Sequence, residues 1–191
     1  MKRNTFTLIE ILGVLVVIAI LATLGFAGYS YANNKSKESA TQGLITRLGA
    51  AFEYAQQKSG FIPPASNFST ITINQSNNTL TIGSETYYLV PQTGGPKSNR
   101  VKKMEAEFCK QFFSALQMDS MNRFMENNII IDAWGNPVRF RYPGALKEGG
   151  FDLIAAGSDG GFGSDSDNSP SANISDYRDG NEWICDDIAN F

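Results

Sequence analysis

Residues 6–28 read FTLIEILGVLVVIAILATLGFAG, the longest apolar stretch of the chain. Its uncharged part, residues 11–28, would rise about 27 Å as a helix, close to the roughly 30 Å hydrocarbon core of a bilayer. Lys2 and Arg3 precede it, and by the positive-inside rule they keep this end of the chain in the cytoplasm. The stretch therefore predicts one membrane-spanning helix, with the bulk of the chain on the other side of the inner membrane.

The alternative interpretation of this stretch is a secretory signal peptide that is removed. The apolar run is longer than the usual core of a signal peptide, and residues 24–28, LGFAG, make a poor small-x-small cleavage site. The sequence beyond residue 28 also continues as helix without a turn. A retained membrane helix is therefore the favoured prediction.

Glu10 stands at the entrance of the apolar run. A carboxylate at the centre of a bilayer costs about 2.5–3.5 kcal/mol, less near the edge, and such groups are normally paired or functional. A helix that serves only as an anchor has no use for this charge. Glu10 therefore favours a helix that assembles with other helices over a simple anchor.

FTLIE followed by an apolar run resembles the prepilin N-terminus of the type IV pilins and the type II secretion pseudopilins. The resemblance implies that a prepilin peptidase cuts between Thr5 and Phe6, where the family has Gly in place of Thr5, and that the new amine of Phe6 is methylated. It also implies that Glu10 neutralises the amine of a neighbouring subunit during assembly. Two opposite charges that meet in a buried interface remove each other's desolvation penalty and fix the register.

Beyond the membrane, the helix is expected to continue to about residues 59–60, because Leu44, Leu48, Phe52 and Ala55 share one face and a Pro pair follows at residues 63–64. The segment up to residue 99 contains short strand-like runs at residues 70–73, 79–82 and 87–90. An amphipathic helix is then predicted from Val101 to about Glu126. We interpret this two-part segment as an insertion into a head domain.

The C-terminal part has two half-buried strand patterns, residues 138–142 and 151–156, on either side of a loop. WGNP at residues 134–137 and GSDG at residues 157–160 are similar to the C-terminal head of the major pseudopilin of type II secretion. The resemblance implies an α+β, type IV pilin-like fold. In it a long N-terminal helix, transmembrane and then amphipathic, packs on a small antiparallel sheet, with a second helix inserted here.

The loop of residues 157–168, called the cation loop below, is rich in glycine and in hard oxygen donors. Its candidate ligands are Asp159, Ser164, Asp165 and Asp167, and such donors suit calcium, which accepts six to eight oxygens in loose geometry. The pseudopilin resemblance also implies calcium here. A solvated acidic loop without a metal is the alternative, and an EF-hand register fails because Pro170 stands where that motif requires Gly.

Cys109 and Cys185 are the two cysteines, and they could form a disulfide in an oxidising periplasm. Two buried free thiols are the alternative. The chain has no histidine, no CxxC pair and no nucleophile motif, so neither a zinc site nor an enzyme is indicated. The net charge of −3, without a basic patch, speaks against nucleic-acid binding.

The sequence thus predicts a leader at residues 1–5, a membrane-spanning assembly helix at 6–28, its periplasmic continuation at 29–60, a variable insertion at 61–128 and a sheet head at 129–191. The predicted function is that of a major pseudopilin-like subunit of a type II secretion pseudopilus. Its expected partners are copies of itself, minor pseudopilins, the prepilin peptidase, the inner-membrane assembly platform and membrane lipid. The alternatives are a type IV pilin, a competence-type pseudopilin, or a membrane-anchored calcium-binding module that does not polymerise.

Overall fold

The computed structural model describes residues 8–163, 168–179, 182 and 183, and 185–191. Its first element is the helix α1 (Leu8–Ser59, 52 residues). The helix ends where the sequence predicts, because Gly60 adopts φ +67° and its amide donates to the Gln56 carbonyl at 2.8 Å. The chain divides into two compact units, an N-terminal unit of residues 1–37 and a C-terminal unit of residues 38–191, and α1 contributes to both.

The C-terminal unit contains a series of strands, most of them short. Within the described residues they are β1 (Ala65–Asn74), β2 (Thr79–Ile82), β3 (Glu85–Tyr88), β4 (Met125–Glu126), β5 (Ile129–Ile130), β6 (Arg139–Tyr142), β7 (Asp152–Ala155), β8 (Arg178–Asp179), β9 (Glu182–Trp183) and β10 (Ile188–Ala189). Eight of them form one sheet in the order β10-β7-β6-β1-β2-β3, with β5 paired to β1 and β4 paired to β5, and all of these pairs are antiparallel. The strands β8 and β9 form a separate antiparallel pair.

The strand β1 lies in the middle of this sheet. Ile71 pairs with Ile82 and Ile73 with Leu80, and all four side chains are buried. The alternating pattern of β-branched residues therefore places one face of β1 in the core, as the period of two requires. Residue 128 is the predicted boundary between the insertion and the sheet head. The sheet runs across it, since β1 pairs with both β5 and β6.

The second helix, α2 (Asn99–Leu116), is shorter than predicted. Ser98 caps its start by accepting a hydrogen bond from the Val101 amide at 3.3 Å. Its end at Leu116 corrects the predicted end near Glu126, because Gln117 takes a left-handed conformation with φ 51° and short 3-10 turns follow.

The main hydrophobic core lies between the sheet, α2 and the part of α1 that belongs to the C-terminal unit. Phe52 of α1 is at its centre, with ring centroids 4.8 Å from Phe112, 4.5 Å from Phe140 and 5.5 Å from Phe151. The face predicted for α1 is buried throughout, at Leu44, Leu48, Ala51, Phe52 and Ala55. A long N-terminal apolar helix, an antiparallel sheet and a second helix confirm the predicted α+β class and match a pilin-like fold.

Candidate functional site

The first candidate site is the start of α1. Thr5 and Phe6, the predicted cleavage and methylation residues, lie outside the described residues. Glu10 lies in the first turn of α1 and is exposed. An acidic group there interacts favourably with the helix dipole, by about 0.3–1 kcal/mol at an exposed site.

Glu10 borders an apolar surface on one side of the helix. Gly13, Val14 and Val17 follow it at spacings of three, four and seven residues, so the four share one face. They line a shallow groove together with Ile11 and Ile18. A Cβ added to Gly13 would meet nothing within 4 Å, so the groove is open beside the carboxylate. This face therefore combines one ionisable group with an uncovered apolar surface.

The N-terminal part of α1 is also the candidate membrane span. Within the described parts of the chain, α1 is the one helix long and apolar enough to cross a bilayer, and none of its most apolar 18-residue window is buried. Ile11 is 50 % exposed and Leu21 63 % exposed, in contrast to the usual burial of such residues. By length and composition this surface is compatible with a membrane anchor.

The second candidate site is the cation loop. Asp159 accepts a hydrogen bond from the Gly161 amide at 2.9 Å, which closes a tight turn. The Asp186 carboxylate from the tail accepts from the Ser158 amide at 2.5 Å, the Ser158 hydroxyl at 2.6 Å and the Asp159 amide at 3.1 Å. The tail approaches so closely that a Cβ on Gly157, which has φ +75°, would collide with the Asp186 carbonyl. Glycine is therefore required at the start of this loop.

Asp187 holds the other end of the described loop. Its side chain is 6 % exposed, and its Oδ2 accepts from the Gly163 amide at 2.6 Å. Its Oδ1 has no hydrogen-bond partner of normal geometry within the described residues, although the weakly donating Cys185 thiol lies close to the carboxylate. Burial is the main cause that raises the pKa of Asp187 to about 6; the hydrogen bonds from Cys185 and the Gly163 amide oppose the rise, and the charges of Asp186 and Asp159 add to it. A buried carboxylate in this state would be stabilised by a nearby cation.

The turn at residues 134–137 lies against the cation loop. The side-chain amide of Asn136 donates to the Gly157 carbonyl at 2.9 Å and to Asp132 Oδ2 at 3.3 Å. Asp132 is 2 % exposed, and its Oδ1 accepts from the amides of Trp134 and Asn136 at 2.9 and 2.8 Å. The turn is thus fixed by one buried carboxylate and joined to the loop by one amide.

The structure describes only part of the predicted ligand set. Ser164, Asp165 and Asp167 lie outside the described residues, while Asp159 is placed in the loop. Within the described ranges, no three His, Cys, Asp or Glu side chains form a group that could hold a metal ion. Any complete shell would therefore need oxygens from residues 164–167 or from the main chain.

Asp186 and Asp187 are missing from the sequence-based ligand set. Asp186 is 27 residues from Asp159 in sequence, and the two meet because the neighbouring strand β10 pairs with β7, which leads into the loop. The signal that could have identified them is two adjacent acids directly before Ile188, which is buried in the sheet.

The disulfide predicted between Cys109 and Cys185 is not formed, because both residues are free thiols. Cys109 is buried in the main core, whereas Cys185 packs against a second cluster formed by Ile154, Ala156, Phe162 and Tyr177. Burial is the main cause that raises the pKa of each thiol to about 12, and the Asp187 carboxylate adds to the rise at Cys185. Both therefore stay protonated near neutral pH.

Comparison with known proteins adds a family-level finding. The sequence model of the family "type II secretion system (T2SS), protein G" matches residues 112–174, a stretch that runs from the end of α2 through β7 and the cation loop to Ile174. Searches of curated proteins and of solved structures found no match. The matched stretch supports the pseudopilin resemblance, and it contains the turn at residues 134–137 and the loop that this turn contacts.

Proposed function

We propose that the protein is a structural subunit, similar to the major pseudopilin, of a type II secretion pseudopilus. In this role it polymerises in the inner membrane and helps to drive protein export, without catalysing a reaction. The observation that carries the proposal is the N-terminal part of α1, whose apolar side chains are uncovered and whose first turn holds Glu10. The family match over residues 112–174 supports the secretion class.

The groove beside Glu10 fits a helix from a second copy of the chain. Apolar side chains gain little from leaving lipid for a protein interface, so close packing and polar pairing must drive the association of membrane helices. Gly13 permits close approach at this face. Glu10 would then meet the amine of a neighbour's Phe6 once the peptidase has removed residues 1–5. Pairing would neutralise both charges and set the axial position of each subunit.

The proposed topology places the start of α1 in the inner membrane with its N-terminus in the cytoplasm and the C-terminal unit in the periplasm. Copies of the chain would form the filament, and minor pseudopilins and the assembly platform would contact the same helices. Lys2 and Arg3 support this orientation through the positive-inside rule.

The test replaces Glu10 in the full chain within bacterial membranes. Glu10→Val should leave insertion intact but lower the yield of crosslinked multimers at least tenfold, a factor that corresponds to about 1.4 kcal/mol per contact. Glu10→Gln should have a milder effect. The matched control is Glu53→Gln, since Glu53 lies on the same helix but is 61 % exposed and pairs with Lys147 at 3.5 Å.

Crosslinking separates the proposal from the non-polymerising alternative. Multimers that persist unchanged in Glu10→Val would contradict the pairing mechanism. A wild-type chain that inserts but yields no multimers would instead support a membrane-anchored binding module.

We further propose that the cation loop binds calcium. The donor chemistry fits: Asp187 is buried with one oxygen lacking a normal partner, and Asp159 and Asp186 raise the local negative charge. Asp159 and Asp187 would supply carboxylate oxygens, with Ser164, Asp165, Asp167 and main-chain carbonyls completing the shell. A bound calcium would neutralise these carboxylates. Asp186 keeps a separate role, since its Oδ2 already accepts three hydrogen bonds from Ser158 and Asp159.

Thermal melting of the full chain in detergent tests this site with chelator, magnesium or calcium. At calcium of about 100 times the dissociation constant, binding to the folded form adds about 2.7 kcal/mol to the free energy of unfolding. Asp187→Asn should abolish the calcium-specific part of the increase. The control Asp119→Asn, at an exposed turn before Met121, should retain it. Equal midpoints in magnesium and calcium would contradict the proposal.

A further inference from the structure

We infer that Asn136 is a positioning residue for the cation loop, and that it connects the loop through Asp132 to α1. The inference rests on the proposed calcium site, but it concerns residues that are not among the proposed ligands.

Asn136 supports the loop at two points. Its Nδ2 donates to the Gly157 carbonyl at 2.9 Å. A Cβ added to Gly160, which has φ +76°, would lie 3.3 Å from the Asn136 side-chain oxygen. The side chain therefore lies against both ends of the turn that contains Asp159, and a shift of this amide changes the position of that carboxylate.

Asp132 fixes the orientation of the Asn136 amide. Its Oδ2 accepts from the same Nδ2 at 3.3 Å, and its own amide donates to the Asn136 carbonyl at 2.8 Å. A charged acceptor on one side of Nδ2 leaves the amide oriented to donate its other hydrogen to Gly157. Because Asp132 is buried, its carboxylate has little freedom to move.

The connection continues from the turn to α1. The amide of Ala133 donates to Thr41 Oγ1 at 3.1 Å, and Thr41 is buried on α1. The contacts thus run from Thr41 through residues 132–136 to Gly157. Cation binding that orders the loop would change the surroundings of the turn. Trp134 lies within that turn, so its fluorescence can report the change.

An asparagine suits this position better than its nearest substitutes. Alanine would leave the Gly157 carbonyl and Asp132 Oδ2 without this donor. Aspartate would keep the size of the side chain but place a second carboxylate 3.3 Å from Asp132 Oδ2, where like charges repel. The chemistry requires a neutral donor between two acceptors.

The test measures calcium affinity and stability separately in the full chain in detergent. Calorimetric titration with calcium chloride should give at least a tenfold weaker Kd for Asn136→Ala, and a larger loss for the isosteric Asn136→Asp. Asn74→Ala is the matched control, because Asn74 also makes two hydrogen bonds in a turn, to the amides of Ser76 and Asn77, but between β1 and β2. It should lower the melting midpoint in chelator without changing the Kd.

A second measurement uses the fluorescence of Trp134. Trp183→Phe leaves it as the single tryptophan of the chain, and saturating calcium should shift its emission in this background. Asn136→Asp, which keeps the side-chain volume, should reduce the shift even at calcium concentrations that saturate its own site.

The outcomes separate the inference from the calcium proposal. A wild-type chain that shows no calcium heat overturns both. Wild-type binding with an unchanged Kd in both folded Asn136 variants overturns the inference alone. An unchanged Trp134 emission in the calcium-saturated Trp183→Phe chain would also overturn the connection toward α1.

Discussion

Both parts of α1 contain apolar residues, but these residues are exposed in the N-terminal part and buried on one face of the C-terminal part. In the N-terminal unit, Val14, Val16 and Ile18 are more than half exposed, whereas Leu48 and Phe52 in the C-terminal unit are completely buried. The second part is amphipathic, because the sheet and α2 cover one face. From Ile11 to Ala22 the first part has only apolar side chains and glycine on every side, which is expected of a segment whose solvent is lipid or other helices. Burial within the chain therefore accounts for the apolar residues of the C-terminal part of α1 but not for those of the N-terminal part.

The largest contrast should come from shortening side chains at the core and on the exposed part. Phe52→Ala should reduce the free energy of unfolding by about 3–5 kcal/mol, because it opens a cavity among packed rings. Val16→Ala should change it by no more than about 0.5 kcal/mol, since Val16 is 52 % exposed. Denaturant titration of the full chain in detergent measures both. Equal losses of unfolding free energy in the two variants would contradict the difference in packing between the two parts of α1.

A second test introduces a lysine into each part of α1 and measures membrane insertion. Val17→Lys should weaken membrane insertion by about 2.5–3.5 kcal/mol near the middle of the apolar run. Gln57→Lys, at an exposed position near the end of α1, should leave insertion unchanged. Extraction of membranes at alkaline pH provides the measurement. Full retention of the Val17→Lys variant would show that this part of the helix does not span the bilayer.

The smallest expected effect comes from removing one threonine hydroxyl from α1, either at the buried Thr41 or at the exposed Thr46. Thr41→Val leaves the part-buried Ala133 amide without its acceptor, at a cost of about 1 kcal/mol. Thr46→Val removes only an exposed bond to the Gln42 carbonyl and should cost less than about 0.5 kcal/mol. Thermal melts of the two variants test the difference. Matched midpoints would mean that the contact between α1 and the turn carries no stability.

Much of the fold follows from local sequence. The end of α1, the strand β2 and the buried face of α1 match the sequence-based predictions, because periodicity and turn residues decide them. The end of α2 does not match, because Gln117 takes a left-handed conformation that usually belongs to glycine. The apolar spacing at Phe108, Phe112 and Leu116 predicts a helix but carries no signal for its end.

The candidate sites depend more on long-range contacts. Asp159 and Glu10 can be singled out from motifs, and their roles as ligand and assembly residue remain predictions. Asp186, Asp187 and the link from Asn136 to Gly157 could not be found in this way, because strand pairing and turn geometry bring them together across 21 to 28 residues. The free thiols show the same limit, since cysteine spacing carries no information about which cluster surrounds each side chain.

The pairing of β10 with β7 determines when the cation loop can close during synthesis of the chain. The loop at Ser158 and Asp159 takes its form from a carboxylate 27 residues later in the chain. At a synthesis rate of about 5–20 residues per second, that carboxylate emerges about 1 to 5 seconds after the loop itself. During this interval the edge of β7 that later pairs with β10 is uncovered. The amides of Ser158 and Asp159 still lack the Asp186 carboxylate that accepts their hydrogen bonds. Closure of the loop therefore belongs to the last steps of folding, after both helices and the centre of the sheet have left the ribosome.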